Sequence, residues 1–175
     1  AAHLVRDETT TLQAWMKVWT LDKHHWGIPD MAFSLGVILA KRGRYAESVR
    51  IYQYGMPRSA RLSTRGIMAS NCAESAMATG ALTLAIRLYR QSLRLRPRNN
   101  SAAWWGLMVA LDRRGLTWPS QRAAAQGLVL DPSLRGLTGP DVFFVPRGDV
   151  HYYLALAREA QGRIREAMEQ WRRFL

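Results

Sequence analysis

Four glycines, Gly43, Gly80, Gly115 and Gly162, stand at the same place in a recurring pattern of small and apolar residues, at spacings of 37, 35 and 47. Eleven residues before each lie Ala32, Ala69, Trp104 and His151, and eight before lie Leu35, Cys72, Leu107 and Leu154. Five residues after come Ser48, Ala85, Ser120 and Ala167, and nine after come Tyr52, Tyr89, Ala124 and Trp171. Two units close on a proline seventeen past the glycine, Pro97 and Pro132. A glycine between two runs of helical apolar spacing marks a turn between helices. Four such pairs imply a repeat array, in which each unit buries its apolar face against its neighbours.

These positions resemble the tetratricopeptide repeat, a helix-turn-helix unit of about 34 residues with the signature W-x2-L-G-x2-Y, then A-x3-F, then P. Residues 32–52 match it with Leu35-Gly36 and Tyr52, residues 69–97 match it most completely, and residues 151–174 match it again. Residues 104–132 keep Trp104, Leu107, Gly115 and Pro132 but put Ala124 where an aromatic is usual. The fold this implies is all-α, a right-handed superhelix of about four units with an N-terminal capping helix. The units are expected at 29–62, 66–99, 101–134 and 148–175, after a capping segment at 1–28 and with an insertion at 134–148.

The capping helix is expected from Thr9 to Lys23, with Leu12, Trp15, Met16, Val18 and Trp19 on its apolar face. Gly55-Met56-Pro57 ends the first unit, a basic connector (Arg58, Arg61, Arg65) leads to the second, and Asn99-Asn100-Ser101 offers an N-cap to the third. The insertion carries an apolar run, Val142-Phe143-Phe144-Val145, between Pro140 and Pro146. Either function or packing against its own scaffold accounts for a loop of that length.

A chain of 175 residues, 48% hydrophobic, buries a sizeable core, and no stretch reaches the roughly 18–20 apolar residues of a membrane span, so a soluble domain is expected. The single cysteine, Cys72, rules out an internal disulfide and sits in the small-residue row as a packing residue. The chain begins at Ala1 rather than methionine, as a processed form or an excised piece would, and the compartment stays open. The net charge of +12 attracts anions, although 22 of the 25 basic residues are arginine, a bias that a GC-rich genome produces by itself.

Two faces follow from the repeat register. Positions five and nine of the first helices, which the resemblance places on the concave side, are Ser70 and Glu74 in the second unit but give Phe33, Val37, Trp105, Val109, Tyr152 and Leu156 in the other three, an apolar groove for a partner's peptide or helix. The N-terminal segment, the insertion or chain outside this sequence would equally fill that groove. The second helices carry Arg50, Arg87, Arg90, Arg122 and Arg172 on the opposite, convex side. That row reads either as a solvated face or as a contact for an acidic protein, phospholipid headgroups or nucleic acid.

The resemblance also supplies a test for chaperone-tail binding. Asn71 occupies one position of the carboxylate clamp found in repeat proteins of that type, but Phe33, Val37, Ala102 and Gly106 replace its other residues, so no such binding is expected. His24 and His25 are adjacent and diverge on a helix, and His151 takes a packing position. No carboxylate pairs with a nucleophile, and no zinc spacing or phosphate loop is present. The expectation is a protein-binding scaffold with no enzymatic activity, cofactor, metal or small-molecule substrate, whose partners are proteins, some with acidic surfaces. Nucleic acid or an anionic membrane surface is the alternative.

Overall fold

The structure, a computed structural model of the chain, describes residues 10, 13–18, 20–21, 27–139, 146 and 148–175. Its helices are α1 (Ile28–Lys41), α2 (Tyr45–Gly55), α3 (Leu62–Ala78), α4 (Leu82–Leu95), α5 (Ser101–Arg113), α6 (Thr117–Leu130), the short α7 (Arg135–Thr138), α8 (Asp149–Ala160) and α9 (Ile164–Phe174). A 3-10 turn at Met56–Arg58 follows α2, and no strand occurs among the described residues.

The glycines fix the hairpins. Gly43, Gly80, Gly115 and Gly162 have φ of 75, 78, 72 and 74°, the left-handed region that side chains with a Cβ avoid. In each turn the glycine N–H bonds the carbonyl three residues back, and the next residue's N–H reaches five back, as in Arg44 to Leu39 and Leu116 to Leu111 at 2.9 and 3.0 Å. These paired bonds satisfy the last carbonyls of the first helix and set the second antiparallel to it. The hairpins are α1/α2, α3/α4, α5/α6 and α8/α9, with α2 packed on α3 and α4 on α5.

Small residues let the helices approach. Tyr52 lies against Gly36, and Tyr89 against Gly106, where any Cβ would strike the ring. Ser48 Oγ donates to the Gly36 carbonyl at 2.8 Å, and Ser120 Oγ to the Met108 carbonyl at 2.9 Å, so the serine five past the turn glycine pins its helix to its partner. Cys72 is fully buried within this packing.

The fourth unit sits differently. Helix α8 packs on both α5 and α6, rather than chiefly on the preceding second helix. Polar contacts help to seat it: Tyr152 Oη donates to Asp112 (2.6 Å), Tyr153 Oη donates to Glu74 (2.6 Å), and Arg113 pairs with Asp149 (2.9 Å). Between α6 and α8 the chain turns at Leu134 (φ 60°) into α7, with Leu134 and Leu137 buried.

Several local expectations are corrected. The second unit's first helix starts at Leu62, and Arg65 belongs to it rather than to a connector. Asn100 precedes α5, but its amide turns inward to Ser92 (3.2 Å to Oγ) instead of capping the helix, because burial there demands a partner for it. Residues 13–18 are helical, and Trp15 and Met16 pack on the core. Leu12, Trp19, His24, His25 and the run 142–145 lie outside the described residues.

Candidate protein-interaction groove

The two adjacent tryptophans of α5 point about 100° apart, as neighbours on a helix must. Trp105 turns into the α5/α6 interface, where its ring lies on Gly127 and its indole N–H reaches Asp131 Oδ2 at 3.3 Å. Trp104 turns the other way and stays half-buried, flooring a groove between α4 and α6.

That groove has a volume of about 770 Å³. Leu107 and Leu111 continue its floor from α5, Leu93, Arg90 and Arg94 form one wall from α4, and Trp118, Pro119, Arg122 and Gln126 form the other from α6. Trp118 is 65% exposed, with the Arg122 guanidinium 4.9 Å from its ring centre. Pro119 is tolerated in the first turn of α6, where its missing N–H has no intrahelical partner to lose. One turn back along α4, a second hollow of about 470 Å³ is lined by Arg87 and Arg114 with Leu82 and Leu84. Arg87, Arg90 and Arg94 are spaced three and four apart and so share one face of α4. Among the described residues no carboxylate lines either hollow. None of the five arginines enters an ion pair among the described residues.

The expected concave set is not brought together as one apolar groove. Trp105 and Val109 are fully buried and present no surface to a partner. The register of an ideal unit places position five outward, but the missing side chain at Gly127 draws the Trp105 ring inward. Phe33 and Val37 are half-buried and pack against the core. The Tyr152 ring stands edge-on to Trp171 (4.9 Å) and Phe174 (5.0 Å), under the Arg113 guanidinium, and Leu156 lines a cleft of about 320 Å³ with Met108, Ala124 and Leu128. That cleft lies where Ala124 replaces an aromatic. Arg50, Arg87, Arg90, Arg122 and Arg172 are all exposed, and Arg87, Arg90 and Arg122 border the two hollows.

The remaining titratable groups are structural in their surroundings. Burial pushes the Cys72 thiol up to about 12, away from nucleophilic use. Burial, then the Glu74 charge, holds the Tyr89 and Tyr153 phenols well above their ordinary range. His151 Nδ1 is 2.9 Å from Gln170 Oε1. Among the described residues no group of three or more His, Cys, Asp or Glu side chains converges on a common point, and no helix is long and apolar enough to cross a membrane.

No protein-family model and no curated protein sequence matches the chain. Solved structures do. A MamA structure aligns at 14% identity with a TM-score of 0.68, covering 98% of this chain and 89% of that one. MamA AMB-1 aligns at 19% identity and 0.63, covering 97% and 89%. YrrB, a TPR protein with an unusual peptide-binding site, aligns at 13% identity and 0.63, covering 98% and 78%. The fold is that of a tetratricopeptide-repeat protein. At these identities the likeness extends to the fold of the TPR array alone.

Proposed function

We propose that this TPR protein is a non-enzymatic scaffold that holds a segment of another protein in the open groove between its second and third units. The observation that carries this reading is the groove itself: an apolar floor of Trp104, Leu107 and Leu111, left open beside an exposed Trp118. Exposed apolar surface rimmed by polar residues marks interaction sites, and tryptophan and arginine are the residues that most often dominate binding energy there. The peptide-binding site of YrrB, a structural neighbour, supports the same class of function. Phe33, Val37, Tyr152 and Leu156 remain partly exposed but do not form one surface with this groove.

The test is capture from nuclease-treated extract of the native host at low and high salt, comparing the chain with Trp118→Ala. Proteins retained by the original at high salt and lost from the variant carry the proposal. Retention indifferent to Trp118 sinks the groove as the site.

A second reading keeps one observation in its favour, the exposed arginines that no carboxylate neutralises among the described residues. Binding to nucleic acid or an anionic membrane through them would fall steeply with salt and would persist in Trp118→Ala.

A further inference from the structure

We infer that the groove between α4 and α6 takes an acidic segment of a partner protein, one that places a bulky aliphatic or aromatic side chain between carboxylates. The inference rests on the scaffold reading above and adds the chemistry of the occupant.

Charge sets the flanks of that segment. Arg90 and Arg94 stand on one wall and Arg122 on the other, while Arg87 and Arg114 extend the same positive border one turn further. Like charges bordering one groove repel one another, and among the described residues no carboxylate lines it. Carboxylates arriving on both sides of the groove would relieve that repulsion, and guanidinium forks match carboxylates two bonds at a time. A neutral or basic segment would leave these cations without a counter-charge.

The floor sets the centre of the segment. Leu93, Leu107, Leu111 and the Trp104 ring have no hydrogen-bonding group to offer a nucleotide base apart from the indole N–H, and a hollow of about 770 Å³ accepts several apolar side chains. A single-stranded nucleic acid would want open aromatic faces for stacking. Trp118 carries the Arg122 guanidinium 4.9 Å from its ring centre, and the floor beside it is aliphatic apart from Trp104, which leaves few faces for successive bases. The observations therefore favour a peptide over a polynucleotide.

The experiment is selection of a random dodecapeptide library displayed on phage, with the Arg90→Glu, Arg94→Glu, Arg122→Glu variant as counter-target. These side chains are exposed and make no ion pair, so the variant is expected to keep its helicity, which circular dichroism checks first. The expected result is enrichment of peptides with several Asp or Glu around Leu, Ile, Phe or Trp. A synthetic peptide of the enriched sequence should bind the variant at least ~10-fold more weakly, and should lose a similar factor when its carboxylates are changed to amides. Enriched peptides that are neutral or basic, or that bind the variant equally, overturn the acidic occupant. If such peptides still depend on Trp118, the scaffold reading survives that loss. No enriched peptide, with a fluorescent uridine oligonucleotide bound by the original and not by the variant, overturns the peptide in favour of nucleic acid. No enriched peptide, together with failed capture from extract, sinks both readings.

Discussion

Tyr153, in the fourth unit, donates its phenolic proton to Glu74, in the second, across 2.6 Å, and Tyr89 donates to the same carboxylate oxygen across 2.7 Å. One half-buried carboxylate thus joins α3, α4 and α8. Tyr153→Phe keeps the ring and removes one charge-assisted bond, so it should lower unfolding free energy by about 1.5–3 kcal/mol. Urea denaturation followed by far-ultraviolet circular dichroism would measure it. A loss below about 0.5 kcal/mol, the scatter of ordinary surface changes, would show that the contact does not hold the fourth unit.

Gly36 makes the opposite kind of demand. Alanine is favoured over glycine inside a helix by about 1 kcal/mol, yet the Cβ it adds at this position would run into the Tyr52 ring. Gly36→Ala should therefore destabilise, by about 1–3 kcal/mol as overpacking does, and Tyr52→Leu should recover part of the loss. A rise in melting temperature for Gly36→Ala alone would contradict the packing.

Asp131 collects three N–H groups: the backbone amides of Arg135 and Gly136, each at 2.8 Å, and the Trp105 indole at 3.3 Å. Asp131→Ala strands all three in a site that is largely buried. We expect a cost of about 2–4 kcal/mol, with raised protease sensitivity between α6 and α8. Proteolysis unchanged from the original would argue that the α7 turn holds itself.

Alkali should unfold the protein from above. Burial raises the phenols of Tyr52, Tyr89 and Tyr153 above the unfolded value of about 10. Between the unfolded and folded values the native state holds more protons than the unfolded one, so stability falls as pH rises through that window and is full below it. Melting temperatures from about pH 8 to about pH 11 should drop in step with tyrosinate absorbance. A flat profile would contradict the burial.

Cys72, its thiol held near 12, should stay unreactive to an aromatic disulfide reagent in the native chain at about pH 8 and react fully once urea unfolds it. Rapid native reaction would place the thiol at the surface.

The turn glycines were legible because a positive φ leaves one residue type that fits comfortably, and Tyr52 and Tyr89, nine past them, because only a large ring fills the space they occupy. Trp105 was misread because an ideal unit assigns position five outward. Gly127, one small residue on the paired helix, was the signal that a large ring turns in, and Ala124 signalled in the same way that a cleft opens beside Met108. The groove was only half legible: Arg90 and Arg122 were visible as outer residues, but its floor combines Trp104, Leu107 and Leu111 from a helix read as facing the other side. The bond from Tyr153 to Glu74 was not legible, since residues 79 apart leave no periodic trace.

That bond also bears on how the array assembles. A repeat protein whose units touch only their neighbours folds like a zipper, free to start anywhere. Here the last hairpin finds its seat only when the second and third are already in place, so one closing step must wait on a long loop. Synthesis from the N-terminus supplies the units in that order, and refolding of the whole chain from denaturant is where a slow, fourth-unit phase would show.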